Sequence, residues 1–153
     1  MIRKTSLDEV DRDILRMLQS DGRLSYRAIA NTLSMSTGTV SQRVKRMVDS
    51  GTIRKFAAIV NPHMLGKPYT MLVMIRCQPG AHLDSTVRSI EDLDESCCIH
   101  TITGDFHLQV IVRVSDTHNA GEFLERLRNL EGVEFITSYV VLKSFKPLYE
   151  VSI

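Results

Sequence analysis

At Gly51 the spacing of apolar residues changes, and that change divides the chain. Before it, apolar side chains recur every three or four residues. After it, they alternate along short runs that two further helical stretches interrupt. A chain with this pattern builds a helical unit first and a layered sheet-and-helix unit second. At 153 residues, each part is long enough to bury a core of its own. Formal charge divides at nearly the same place. The net +1 conceals eleven Lys+Arg against six Asp+Glu in residues 1–62, or +5, and eight against twelve in residues 63–153, or −4. A polyanion would therefore meet the first part alone.

Several classes are excluded early. Apolar runs such as "FAAIV" fall far short of the roughly 18 residues that a membrane span needs. The start "MIRKTSLDEVDRD" turns acidic too soon for a secretory signal. Cys77, Cys97 and Cys98 make an odd set without CxxC spacing. Neither a disulfide framework nor a zinc motif follows, and a reduced, cytoplasmic location is expected.

Three helices are expected before Gly51. In "TSLDEVDRDILRMLQSDG", Ser6 with Glu9 can form a capping box and Asp8 can cap slightly later; Val10, Ile14, Leu15 and Leu18 form the apolar stripe, and Gly22 ends the helix. Ser25 caps a short second helix that turns Ile29, Ala30 and Leu33 inward. Ser34-Met35 is a tight connection, and a third helix runs from Ser36 or Thr37 to about Asp49. Residues 52–60, "TIRKFAAIV", are then expected as a wing-like strand, and a linker falls at 61–68, where Pro62, Gly66 and Pro68 cluster. From 69 to 153 the order is strand, helix, strand, strand, helix, strand. The first helix of this set is at 81–93, and Asp116 or Thr117 caps the second. This is the ferredoxin-like βαββαβ order, so the chain is read as α+β. A helix-turn-helix (winged-helix-like) domain at 1–60 precedes a βαββαβ domain at 69–153. One face of such a sheet lies under the two helices. The other needs a different cover, for which a second chain is the usual answer.

The third helix carries the chemistry of the first domain. At about 100° per residue, Val40, Val44 and Met47 share one face, and Gly38, Gln42, Lys45 and Asp49 point away, flanked by Ser41 and Arg46. Gln42 can address adenine bidentately, and Arg or Lys can address guanine or phosphate. Ser36 and Thr37 lie beside the helix N-terminus, where free N–H groups favour a phosphate. Together with Arg54 and Lys55 beyond the helix, this arrangement matches a recognition helix for double-stranded DNA.

The stretch "LDEVDRDILRMLQSDGRLSYRAIANTLSMSTGTVSQRVKRMVDSGTIRKFAAIVNPHMLG" resembles the start of the Lrp/AsnC (leucine-responsive/asparagine-responsive) transcription regulators. The shared pattern is LDxxDxxIL, DGR, IA, S-x-x-TV-x-x-RV, G-x-I and P-x-x-LG, and a TGD turn follows at Thr103-Gly104-Asp105. The resemblance spans almost the whole chain. It maps the DNA-contacting positions onto Thr37, Ser41, Gln42, Arg43, Lys45 and Arg46, with Arg43 set for a backbone phosphate. It implies homodimers, often assembled into octamers, and a small-molecule effector, an amino acid or related metabolite, bound between dimers. Thr101, Thr103, Gly104 and Asp105 would line that site, with Thr137 on the last strand. His107 stands where many members carry a second acid and is counted with them.

Other readings remain open at this point. Gly104-Asp105 also suits a plain two-residue hairpin turn. Such a turn would put Cys98, His100 and His107 on one sheet face, a set that a soft metal could use, although buried cysteines are commonly just small hydrophobes. Neither metal nor cofactor is expected. Siroheme decarboxylases resemble the same scaffold, so an enzyme is the alternative; the acidic balance of 63–153 and the absence of a P-loop, GxGxxG or Ser-His-Asp order weigh against it.

Overall fold

A computed structural model describes residues 6–145 and Ile153; residues 1–5 and 146–152, the extremities of the two expected domains, lie outside the described residues. One compact unit extends to Ile59 and a second from Val60 to Phe145.

The first unit holds α1 (Glu9–Ser20), α2 (Tyr26–Thr32) and α3 (Thr37–Asp49). Each starts on a short polar side chain that satisfies an otherwise unpaired N–H. Ser25 accepts from the Ala28 N–H and Ser36 from the Thr39 N–H. For α1 the expected Ser6–Glu9 capping box gives way to one between Asp8 and Asp11, whose side chains each accept from the other's backbone N–H at 2.8 and 3.3 Å. Gly22 is likewise not the stop. The helix ends one residue earlier, with Asp21 extended at its C-cap. Ser34 takes the left-handed φ of 53° that the tight connection needs. Ile14, Ile29, Ala30, Val40, Val44 and Met47 form the buried core.

The expected strand at 52–60 does not form. Ile53 donates its N–H to the Met47 carbonyl, and from Arg54 to Val60 every residue is exposed with no strand assigned. Alternation makes a strand only when another strand accepts its hydrogen bonds, and the four strands of the sheet all lie beyond Pro68. The linker carries a short 3₁₀ turn, Pro62–Leu65, capped by Asn61 and closed by left-handed Gly66.

The second unit is a four-stranded antiparallel sheet, β1 (Tyr69–Cys77), β2 (Ser96–Thr101), β3 (Leu108–Val114) and β4 (Val133–Val140), in the order β2-β3-β1-β4. Helices α4 (Leu83–Glu91) and α5 (Thr117–Arg128) make the crossovers, and Asp116 caps α5 by accepting from Asn119. This is the ferredoxin-like arrangement. The expected last strand was longer, reaching Phe145, and the expected helix at 81–93 shortens at both ends. Past Val140 a last bond joins the Val141 N–H to the Thr70 carbonyl of β1 at 2.9 Å, and beyond it Leu142 and Phe145 are almost fully exposed. Alternation sets the layers: Met71, Val73, Ile75, Leu108, Val110 and Val112 face the helices with Ile90, Phe123 and Leu127, all buried. Gly132 enters β4 at φ 86° with the buried Thr86 hydroxyl against it, so any Cβ there would collide.

Candidate nucleic-acid interface and effector site

The face of α3 follows from its own sequence. Val40, Val44 and Met47 are at most 1% exposed, while Ser41, Gln42 and Lys45 are exposed away from them and Thr37 is exposed at the helix's first residue. The polar ridge is therefore held from beneath by three apolar anchors and left bare above. Ser36 is engaged: its Oγ accepts from the Thr39 N–H at 3.0 Å and pairs with the Thr39 hydroxyl at 2.8 Å. Arg54 and Lys55 are exposed on the segment after α3, without the strand expected to carry them.

Arg43 and Arg46 are placed differently from the rest. Arg43 Nη1 donates to Asp8 Oδ2 at 2.6 Å and to Asp11 Oδ1 at 2.8 Å, and Arg46 Nη2 donates to Asp11 Oδ2 at 2.5 Å. The guanidinium beside Asp8, together with the Asp11 N–H, holds the Asp8 carboxyl below the usual carboxylate range. Arg43 is correspondingly raised, chiefly by its bond to Asp8.

In the second unit Thr101 ends β2, and Thr103, Gly104 and Asp105 lie exposed on the loop to β3. The loop is not the two-residue turn considered above. It closes one pair further out, with Ile102 N–H donating to the His107 carbonyl at 3.0 Å, and Gly104 sits at φ 119°. Arg76 of β1 anchors it: its Nε donates to the Asp105 carbonyl at 2.9 Å, and its guanidinium lies 5.8 Å from the Phe106 ring centroid. Thr137 is on β4 beside Met74, with β1 between that strand and the loop's own hairpin.

His107 leaves the set proposed for it. Cys98 Sγ and His100 Nε2 do meet, at 3.1 Å, but His107 Nδ1 accepts from the Cys77 N–H at 2.9 Å. That bond leaves the hydrogen of the neutral ring on Nε2. No group of three His, Cys, Asp or Glu able to hold a metal occurs among the described residues. His107 instead lines a cleft of about 450 Å³ with Gln78, Leu83 and Glu134. This volume is within the range of small-molecule sites. The register between β1 and β4 slips at Arg76/Cys77, and such a bulge re-aims a side chain at a sheet end; Glu134 stands at that point. Cys77 is buried, and burial pushes its thiol upward.

Comparison with known proteins decides the family. Residues 7–54 match a model described as winged helix-turn-helix DNA-binding, and residues 70–151 match the Lrp/AsnC ligand-binding domain. The chain belongs to the Lrp/AsnC family of transcription regulators. Among its relatives, the HTH-type transcriptional regulator FL11 of Pyrococcus abyssi is 34% identical over 152 residues, covering 98% of this chain and 99% of the relative. An AsnC family transcriptional regulator from Agrobacterium tumefaciens has a solved structure with a TM-score of 0.87 at 25% identity, covering 95% and 97% of the two chains. The transcriptional regulator NMB0573 of Neisseria meningitidis, solved in complex with L-Met, shares the fold with a TM-score of 0.90 at 23% identity over 96% and 97%. The chain is thus a DNA-binding regulator with a ligand-binding domain. Among its described residues no helix is long and apolar enough to cross a membrane.

Some participants in this Lrp/AsnC protein escape a sequence reading. Thr39 joins the α3 cap through its hydroxyl, although its place in S-x-x-T offers a signal. Arg76, Gln78 and Glu134 reach the loop and cleft only because three strand ends converge there. Asp11 looks like an ordinary first-turn acid until α3 is packed against it.

Proposed function

We propose that this chain is a cytoplasmic, sequence-specific regulator of transcription without catalytic activity, binding double-stranded DNA as a homodimer and responding to a small-molecule effector. The supporting observation is α3, whose Val40, Val44 and Met47 are buried and whose ridge of Ser41, Gln42 and Lys45 is bare. That ridge has the residue types that read base edges and grip phosphates. Thr37, Arg54 and Lys55 add donors at its two ends, and Arg46 adds one flank.

The sheet face away from the helices carries Leu72, Met74, Ile111, Phe135 and Tyr139, the last two 54% exposed. A second copy of the chain covers it, and further assembly to octamers uses the same domain. The effector is an amino acid or related metabolite held by Thr101, Thr103, Gly104 and Asp105, with His107 and Thr137 contributing. L-Met in the Neisseria complex supports that class of ligand.

Selecting duplexes from a randomised pool, with and without a panel of amino acids, tests this reading. Half-sites about 34–36 Å apart should be enriched, and one amino acid should shift their occupancy in the wild type but not in Asp105→Ala. No enrichment, with affinity insensitive to salt, rejects DNA binding. Enrichment that no amino acid alters rejects the effector class.

A further inference from the structure

Asp11 is a carboxylate with no solvent exposure. A charge withdrawn from water persists only beside opposite charge and full hydrogen bonding. Here both oxygens are taken: Oδ1 by Arg43, and Oδ2 by Arg46 and by the Asp8 N–H of the capping box. The two arginines stand three residues apart on α3 and therefore share one edge of that helix. Gripping both from a single point on α1 specifies how far α3 is rotated and how far along α1 it lies.

The two arginines are not equivalent. Arg43 is shared with Asp8 and its side chain is 24% exposed; that of Arg46 is 49% exposed. Two carboxylates and two guanidinium groups leave no net charge. A DNA phosphate drawing Arg43 away would strip a buried carboxylate of its partner, which is costly. Arg46 can keep one Nη on Asp11 and still present its other N–H groups, which have no protein hydrogen bond among the described residues. Its planar fork suits such a bridge.

We infer that Asp11 is a positioning residue for DNA reading: it withholds Arg43 from the phosphate backbone and aims the free edge of Arg46 at it. The inference rests on the DNA-binding reading above and revises the role expected for Arg43.

Arginine side-chain NMR of the isotope-labelled wild-type protein, titrated with a mixed-sequence duplex, tests it without any mutation. The Arg46 signals should shift and those of Arg43 should stay in place. In parallel, the slope of log affinity against log salt should fall in magnitude by about 0.9 per lost phosphate contact in Arg46→Gln and in Lys45→Gln, and should be unchanged in Arg43→Gln. Asp11→Asn should narrow the preference for a selected duplex over a mixed one without reducing the slope. Arg43 signals that move with DNA, or a reduced slope in folded Arg43→Gln, overturn the assignment while leaving DNA binding standing. Absence of binding to any duplex at low salt rejects the DNA reading and this role together.

Discussion

Among the described residues, six buried ones form the core of the helical unit, against thirteen in the sheet unit. In the sheet unit, strand register and two crossover helices determine where each side chain points; Thr103, Gly104, Asp105 and His107 lie between β2 and β3, while Thr101 and Thr137 lie on strands. In the helical unit the offered residues lie on an element whose apolar anchors are Val40, Val44 and Met47. The buried Asp11 and its two arginines add a directional constraint between α1 and α3. A large apolar core can specify geometry by packing alone, whereas a small one is assisted by directional charge.

The largest test of this contrast is in the cores. Phe123→Ala should lower the stability of the sheet unit by about 3–5 kcal/mol and Ile14→Ala that of the helical unit by about 2–5 kcal/mol, measured by urea unfolding. A single transition shifted equally by both would mean that the two cores do not behave as separate units. Gln42→Ala should reduce discrimination at one base position per half-site by about 1–3 kcal/mol, read by competition between duplexes, with thermal stability unchanged. Uniform weakening over all duplexes would make Gln42 a phosphate contact.

Ser36→Ala should cost about 1 kcal/mol in thermal unfolding, because the α3 cap is lost. Ser36→Asp keeps a capping oxygen and should retain stability, yet weaken DNA binding by placing a negative charge where a phosphate approaches. If both variants bind DNA as the wild type does, Ser36 is a cap alone.

The smallest effect is in acid. Asp8 titrates below its ordinary range because of Arg43 first and the Asp11 N–H second. Its pairing therefore adds stability above the usual carboxylate pKa, and that stability is lost as pH falls through the lowered value. Asp116 behaves with the same sign, mainly through the Asn119 N–H. Acid unfolding followed by circular dichroism should be less steep in Asp8→Asn than in the wild type. An identical acid limb would show that the Asp8–Arg43 pair adds no stability.

Much of this was legible in the residues. The caps Ser25 and Ser36, the α3 stripe, the strand-helix order and the TGD loop all depend on local spacing, and local spacing is what a sequence displays. Four readings failed for reasons that are not local. Ser6 and Asp8 each satisfied a capping pattern, and Asp11 made Asp8 the one used. Residues 52–60 alternated as a strand does, but among the described residues no strand pairs with them. The loop after β2 was read as a two-residue turn, and Arg76 from another strand helps to hold it wider. His107 was assigned to a sheet face, yet its ring turns to the Cys77 N–H at the end of β1.

From sequence alone came the two-part division, the helix-turn-helix, the βαββαβ order and the ridge Ser41-Gln42-Lys45. These follow from hydrophobic period, capping chemistry and charge, which act over a few residues. Only the tertiary structure decided that Arg43 faces two aspartates, and that His107, Gln78 and Glu134 share a cleft. Those outcomes depend on which distant groups meet. Across α1 and α3 the meeting is enforced by the need to neutralise a buried carboxylate; at the sheet end it is enforced by strand register and one bulge.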